Sequence, residues 1–244
     1  IRQALSIAMD REALKEMIWN GNAVTNLSAI PDTMNIGEKS YTELVGGKNY
    51  IVEQLKKDNP DPKALLIEGL KELGKSPDTS QVNIRYASRG TNEISKKTAE
   101  LLKQTWEEAL GIKVEIDMME WNIMWEKIDA GDYDMASAGW GPYYNEPSGI
   151  LSLFEPERGN FNAEKTGWNN EDSKKFKTLL EEAKNETDEQ KLAEIYLEAE
   201  QLLVGTAIIA PQYQTKGSTY INKKVEGYHV TTNGNTDWTD VSVK

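Results

Sequence analysis

The chain has no cysteine, a single histidine (His229) and no long apolar run. Without cysteine there is neither a disulfide within these residues nor thiolate chemistry. One histidine argues against a Ser-His-Asp relay and against a multi-histidine metal site. A membrane helix requires about 20 consecutive apolar residues, and no segment supplies them. Positive charge is also scarce: 28 Lys and Arg face 40 Asp and Glu, for a formal net charge of −12. Nucleic acid and anionic membranes call for clustered Lys and Arg, so neither is expected as a main partner. Acidity of this kind is also simply what keeps many soluble proteins dispersed.

What is present reads as a globular chain, with 38% hydrophobic and 28% charged residues in helical and strand patterns. Its 244 residues suffice for one large domain or two modest ones. Ile1, Leu5, Ala8 and Met9 already keep helical spacing, with nothing ahead of Ile1 to cap them. A piece of a longer protein is therefore expected, its address signal lying outside these residues.

Residues 1–20 are expected to be helical with a break near Asp10, closed by Gly21. From 22 to 59 no period is sustained, and a surface excursion with short elements is expected. Asp61-Pro62 starts a helix carrying Leu65, Leu66, Leu70 and Leu73 on one face, with Gly74 as its stop. Val82, Ile84 and Tyr86 alternate as a strand; Ile94, Thr98, Leu101, Leu102 and Trp106 follow helical spacing; Val114, Ile116 and Met118 alternate again. That is a strand-helix-strand unit with parallel strands. A short helix over 121–130 leads to a strand-like run from Tyr133 to Ala138. Helices over 171–184 and 188–204 follow, then a buried strand over 207–211, then polar strand-like pieces at 219–221 and 228–230. The pattern predicts an α/β domain on a mostly parallel sheet flanked by helices, with the residues from Lys216 onward as a carboxy-terminal extension.

Few side chains assemble into chemistry. Asp132 and Asp134 share a strand face but sit in what reads as an ordinary helix-to-strand turn. Asn145 with Glu146 falls far short of the roughly six oxygens that calcium takes. Ser148 and Ser152 have no base partner. Trp106 and Trp168 read as structural, and His229 as a surface strand residue among Thr231, Thr232 and Asn233. Trp121 and Trp125, at i and i+4, read as core before ligand cage. At Arg89-Gly90-Thr91-Asn92 a helix start offers either an anion site or a simple cap, and the cap is favoured. The most informative stretch is Ala138 to Pro147, with three aromatic rings, two glycines and two prolines in ten residues. Glycine lets backbone approach backbone, and Trp and Tyr offer flat apolar bodies, so a strand ending here reads as a recognition edge.

Several segments, in order, carry a family resemblance. Ile1 to Arg11 resembles a recurrent "RQAL…A…DR" helix, Ala130 to Asp134 a "GDYD" ending and Gly139 to Pro147 a binding-strand signature. Tyr196 to Pro211 resembles a closing run ending in "AP", and Val225 to Tyr228 a "V.G" tail. Together they resemble the carboxy-terminal half of an extracellular solute-binding protein of the oligopeptide/dipeptide class serving bacterial ABC importers. The resemblance implies a periplasmic-binding-protein-like clamp closing on its ligand about a hinge. Residues 1–215 would form the second lobe, and 216–244 would return toward the first. It implies an oligopeptide ligand, an ABC permease as partner and a monomeric state. It further implies no enzymatic activity, cofactor or metal, and an extracellular location, lipid-anchored or periplasmic. Ala138 to Gly141 would pair with the peptide backbone, and Trp121 and Trp140 would line side-chain pockets. Tyr143, Tyr144, Asn145 and Glu146 complete the expected contacts. Peptide-binding relatives commonly carry an aspartate at the position of Tyr143, and basic groups where Ser137 and Ser95 align. The side chains here are neutral. Alternatives are Glu146 as the negative charge, a sugar or other neutral solute as ligand, or a peptide-pheromone receptor.

Overall fold

The computed structural model describes residues 1–25, 28–47, 51–215, 219–230 and 236–244. Helix α1 (Arg2–Ala8) buries Ala4, Leu5, Ser6 and Ile7. The expected break follows, because the Asp10 side chain accepts the Ala13 N–H and restarts the helix as α2 (Arg11–Ala13), extended by a π-turn over Leu14–Ile18. Asn20 and Gly21, both at positive φ, end it.

The segment from 22 to 59 corrects the expectation of a surface excursion. It forms β1 (Ala23–Thr25), a ribbon of β2 (Asn35–Ile36) and β3 (Lys39–Ser40), α3 (Tyr41–Leu44) and α4 (Ile51–Asp58). Ile30, Met34, Ile36 and Tyr41 are all core residues. Their spacing has no period because a distant group fastens the segment. The fully buried Glu200 accepts the Ala29 and Ile30 N–H groups at 2.7 and 2.9 Å, the Tyr41 hydroxyl at 3.2 Å and the Ser28 hydroxyl.

Helix α5 (Pro62–Glu72) starts as expected, with Asp61 accepting the Ala64 N–H. Leu66 and Leu70 are buried, but Leu73 lies past the last turn and is exposed. The strand-helix-strand unit consists of β4 (Asn83–Arg89), α6 (Glu93–Leu110) and β5 (Lys113–Met119), paired in parallel from Asn83↔Lys113 to Arg89↔Met119. Asn92 caps α6 through the Ser95 N–H, and Gly111 closes it in the left-handed conformation that glycine favours. Helix α7 (Trp121–Ala130) leads to β6 (Met135–Ala136), parallel to β4 on its other edge, in the order β5-β4-β6. This strand is two residues long, against the expected run from Tyr133 to Ala138.

Helices α8 (Ser148–Leu151), α9 (Ala163–Thr166), α10 (Glu171–Ala183) and α11 (Glu189–Gly205) follow. The buried strand expected over 207–211 is absent among the described residues. Ala207, at φ 52°, donates to the Val204 carbonyl and Ile208 to that of Leu203, a Schellman closure of α11. Strand β7 (Tyr213–Thr215) pairs antiparallel with β1. Strands β8 (Val225–Glu226), β9 (His229–Val230), β10 (Thr236–Asp237) and β11 (Ser242–Val243) form two antiparallel ribbons, β8–β11 and β9–β10. Thr219 to Ile221, expected to be extended, is in no strand. The expected border at Lys216 and the neighbours Thr231 to Asn233 lie outside the described residues.

Successive side chains of a strand point to opposite faces. Tyr86 accordingly joins a cluster with Leu5, Leu66, Leu102 and Trp106, while Ala87 joins one with Met124, Leu151, Phe176 and Leu203. Helices therefore cover both faces of a parallel sheet, as an α/β architecture requires. Trp106 and Trp168 are buried as expected, and the Trp106 indole donates to the Leu5 carbonyl at 2.9 Å.

Candidate ligand-binding rim

Open parallel sheets place ligands at the carboxyl ends of their strands. Here β4 ends at Arg89, β5 is followed by Glu120 and Trp121, and β6 by Ser137 to Gly141. Strand β6 is held to β4 by Asp134 N to Arg85 O at 3.3 Å and by Ser137 N to Ala87 O at 2.9 Å. The chain then leaves the sheet. Among the described residues no backbone hydrogen bond joins any group from Ala138 to Pro142 to another backbone group. Ala138, Gly139 and Gly141 are exposed, so these groups face solvent.

Rings anchor this open segment. Trp140 is half-buried, edge-on to Tyr143 (5.9 Å), Trp125 (6.5 Å) and Phe161 (6.5 Å). Trp125 stacks on Phe161, which stacks on buried Phe154. Trp121 continues the series outward, 5.5 Å from Trp125 and 43% exposed. The i, i+4 pair thus divides, with Trp125 packed on the core and Trp121 offered to solvent. Tyr143 and Tyr144 are also exposed, at 74% and 48%. The far end is fixed by Glu146, whose Oε1 accepts the Tyr196 hydroxyl at 2.5 Å and Oε2 that of Ser148 at 2.7 Å. Burial, with the Glu146 carboxylate adding to it, pushes the Tyr196 phenol up. Gly149 packs closely against this segment, since a Cβ there would lie 3.3 Å from the Pro142 Cβ and from the Tyr144 carbonyl.

The expected site residues separate into groups. Trp140 and Tyr143 touch, while Ala138, Gly139 and Gly141 form the exposed edge. Half-buried Ser137 lies beside the Tyr86 phenol. Ser95 sits in the first turn of α6, its Oγ 2.8 Å from where a Cβ on Gly90 would lie. Asn145 is half-buried, and Glu146 faces α11. Asp132 and Asp134 serve the fold, accepting the Arg85 guanidinium at 3.0 Å and the Arg85 N–H at 2.7 Å. Arg85, with Lys127, holds the Asp132 carboxyl below the usual carboxylate range. Sequence reasoning missed Arg89 as a site residue. Its guanidinium lies 4.6 Å over the Trp121 ring, and Nη1 is 3.4 Å from where a Cβ on Gly139 would stand. Its place as the last residue of a parallel strand was the available signal. A shallow depression of about 890 Å³ lies elsewhere, between Met17, Ile18 and α6 residues such as Leu101 and Gln104, and has none of these features.

The carboxyl ends of the strands in this α/β fold thus present open backbone among rings. The chain belongs to the bacterial extracellular solute-binding proteins, family 5, whose middle-region model matches residues 1–162. It is 32% identical over 215 residues to the oligopeptide-binding protein OppA of Bacillus subtilis (strain 168), covering 87% of this chain and 36% of that protein. It is 29% identical over 230 residues to the dipeptide-binding protein DppE of the same organism, covering 93% and 39%. The chain thus spans less than two fifths of these relatives' length, on 36% and 39% coverage. Among solved structures, a peptide-binding protein of a peptide ABC transporter matches with a TM-score of 0.72 at 26% identity, over 88% of this chain and 90% of that one. The substrate-binding domain of a Bacillus anthracis (str. Ames) oligopeptide ABC transporter matches with a TM-score of 0.76 at 23% identity, over 100% and 45%, a likeness of fold. No helix among the described residues is long and apolar enough to cross a membrane.

Proposed function

We propose that this chain is one jaw of a receptor that captures an extracellular oligopeptide between two lobes and hands it to an ABC permease. Residues 1–215 form the jaw and 216–244 return toward the other lobe. The observation that carries this reading is the open backbone from Ala138 to Pro142, with exposed Trp121 and Tyr143 beside it. An extended peptide satisfies such groups by pairing along them, which gives affinity without reading side chains. Exposed rings then take whatever side chains the peptide presents. The ligand stabilises the closed population by touching both lobes, with no covalent step. The receptor acts outside the cell as a monomer, lipid-anchored or periplasmic.

Calorimetry with the natural-length protein tests the reading. Mixed-sequence hexapeptides are expected to bind and mono- and disaccharides are not, and peptides N-methylated along the backbone bind more weakly than their parents. Equal affinity for methylated and unmethylated peptides, or preference for the sugars, overturns it. The 244-residue chain alone makes part of the contacts and is expected to bind the same peptides more weakly.

A further inference from the structure

The carboxyl ends of β4 and β5 lie side by side, with Arg89 paired to Met119, and the chain leaves each of them into a helix. The two helices take opposite faces of the sheet. Helix α6 packs Leu102 and Trp106 with Tyr86, and α7 packs Met124 and Ile128 with Ala87. Their first turns therefore stand on either side of the strand ends. The Thr91 hydroxyl, just ahead of α6, donates to Glu120, just ahead of α7, at 2.6 Å and ties the two turns together. Each turn offers an isoleucine to solvent: Ile94 is 50% exposed and Ile123 51%. The helical period puts Ile94 on one face with Thr98 and Leu102, yet neither isoleucine belongs to a buried cluster. Single exposed apolar side chains are ordinary. Two on tethered turns, at the end of the sheet that carries the rim, make a patch with a direction. The peptide edge lies beyond β6, on the other side of β4 from β5, so the patch is set to one side of it. Relatives of which this chain spans 36% and 39% have most of their length outside these residues. In a two-lobed receptor that remainder includes the lobe that closes over these strand ends.

We propose that Ile94 and Ile123 form a closure contact, buried against an apolar surface of the other lobe when the jaws shut, and so set how long a bound peptide is held. This rests on the two-lobed receptor reading. The surface they fit is apolar because isoleucine offers no donor or acceptor and the polar groups beside it are engaged, Glu93 by Lys97 at 2.7 Å and Glu120 by Thr91. A contact made only in the closed form adds to its population whichever peptide lies inside. Its loss acts on release, since opening precedes departure, and leaves the encounter with the open protein as it was.

Stopped-flow binding and release of three hexapeptides of unrelated sequence test the proposal. The natural-length protein is compared with its Ile94→Ser, Ile123→Ser and doubly substituted variants, and with a control carrying Ile94→Leu and Ile123→Leu. The double serine variant is expected to release every peptide roughly 10- to 100-fold faster, by one common factor, with association changed less than about twofold. The leucine control keeps the apolar area and releases peptide at the wild-type rate. Each single serine substitution carries part of the effect, so the proposal stays open to refutation if the double variant does not fold. Small-angle scattering at a fixed, near-saturating peptide concentration is expected to show a larger fraction of open protein in the serine variants than in wild type. A release factor that differs from peptide to peptide assigns the isoleucines to the ligand and overturns the closure contact. Unchanged release in the serine variants overturns it too, while peptide capture stands. Failure of the wild type to bind any of the hexapeptides overturns both.

Discussion

The central strand β4 has two neighbours, and they end differently. Along β5 the parallel pairing runs through seven residue pairs, and Gly90 N extends it by donating to the Met119 carbonyl. Along β6 it lasts for two pairs and stops at Ser137. The first side is closed by hydrogen bonds and by α6, with Leu102, Trp106 and Leu110 beneath it. The second leaves backbone open and is held in place by rings and by one carboxylate, Glu146. The contrast teaches where rigidity and recognition reside. Buried helices fix the position of the rim, and from Ala138 to Pro142 its backbone groups pair with no other backbone among the described residues.

This difference can be broken most severely from the core. Phe176, fully buried against Trp168, supports the scaffold without touching the rim. Phe176→Ala is expected to cost about 3–5 kcal/mol in urea unfolding, with peptide affinity of the folded fraction unchanged. Trp121→Ala is expected to do the reverse. Unfolding free energy shifts by less than about 0.5 kcal/mol, while calorimetric peptide affinity falls about tenfold. Tyr196→Phe sharpens the comparison by releasing the far end of the rim. Losing the hydroxyl bond to Glu146 is expected to cost about 1 kcal/mol in the same unfolding measurement. The smallest effect is a pH dependence. The Asp132 carboxyl is lowered by Arg85 and then Lys127, so its contribution is present above the ordinary carboxylate value of about 3.9. That contribution is lost as pH falls through the lower folded value. Asp132→Asn therefore differs from wild type in thermal unfolding at pH 7, and the gap closes toward pH 2.

Much of the scaffold was legible because its signals are local. Asp10, Asp61, Asn92 and Asp188 accept the N–H groups that cap residues should, and Gly111 and Gly131 end helices at positive φ. The alternation of β5 agrees with its burial and that of β4 holds as far as Tyr86, after which Ala87 and Ser88 are buried too; in α6 Thr98, Leu102 and Trp106 are buried but Ile94 is exposed. What failed depends on partners far along the chain. A continuous apolar run at 207–211 fits a strand equally well, until the helix preceding it folds back through Ala207 and Ile208. Residues 28–41 look like surface until Glu200, some 170 positions away, gathers their N–H groups. The exposed segment after β6 was singled out by its glycines and rings. Where its side chains point was not: nothing local says that Glu146 turns to Tyr196, or that Arg89 lies across Trp121 toward Gly139.

Hydrogen exchange of the backbone amides tests the central claim most directly. In the ligand-free protein, amides at 138–141 are expected to exchange within the earliest time points, while those of Tyr86 to Ser88 in β4 are protected. Saturation with a hexapeptide mixture is expected to slow exchange at 138–141 and leave β4 unchanged. Protection at 138–141 in the free protein, or exchange there that is indifferent to bound peptide, contradicts the account.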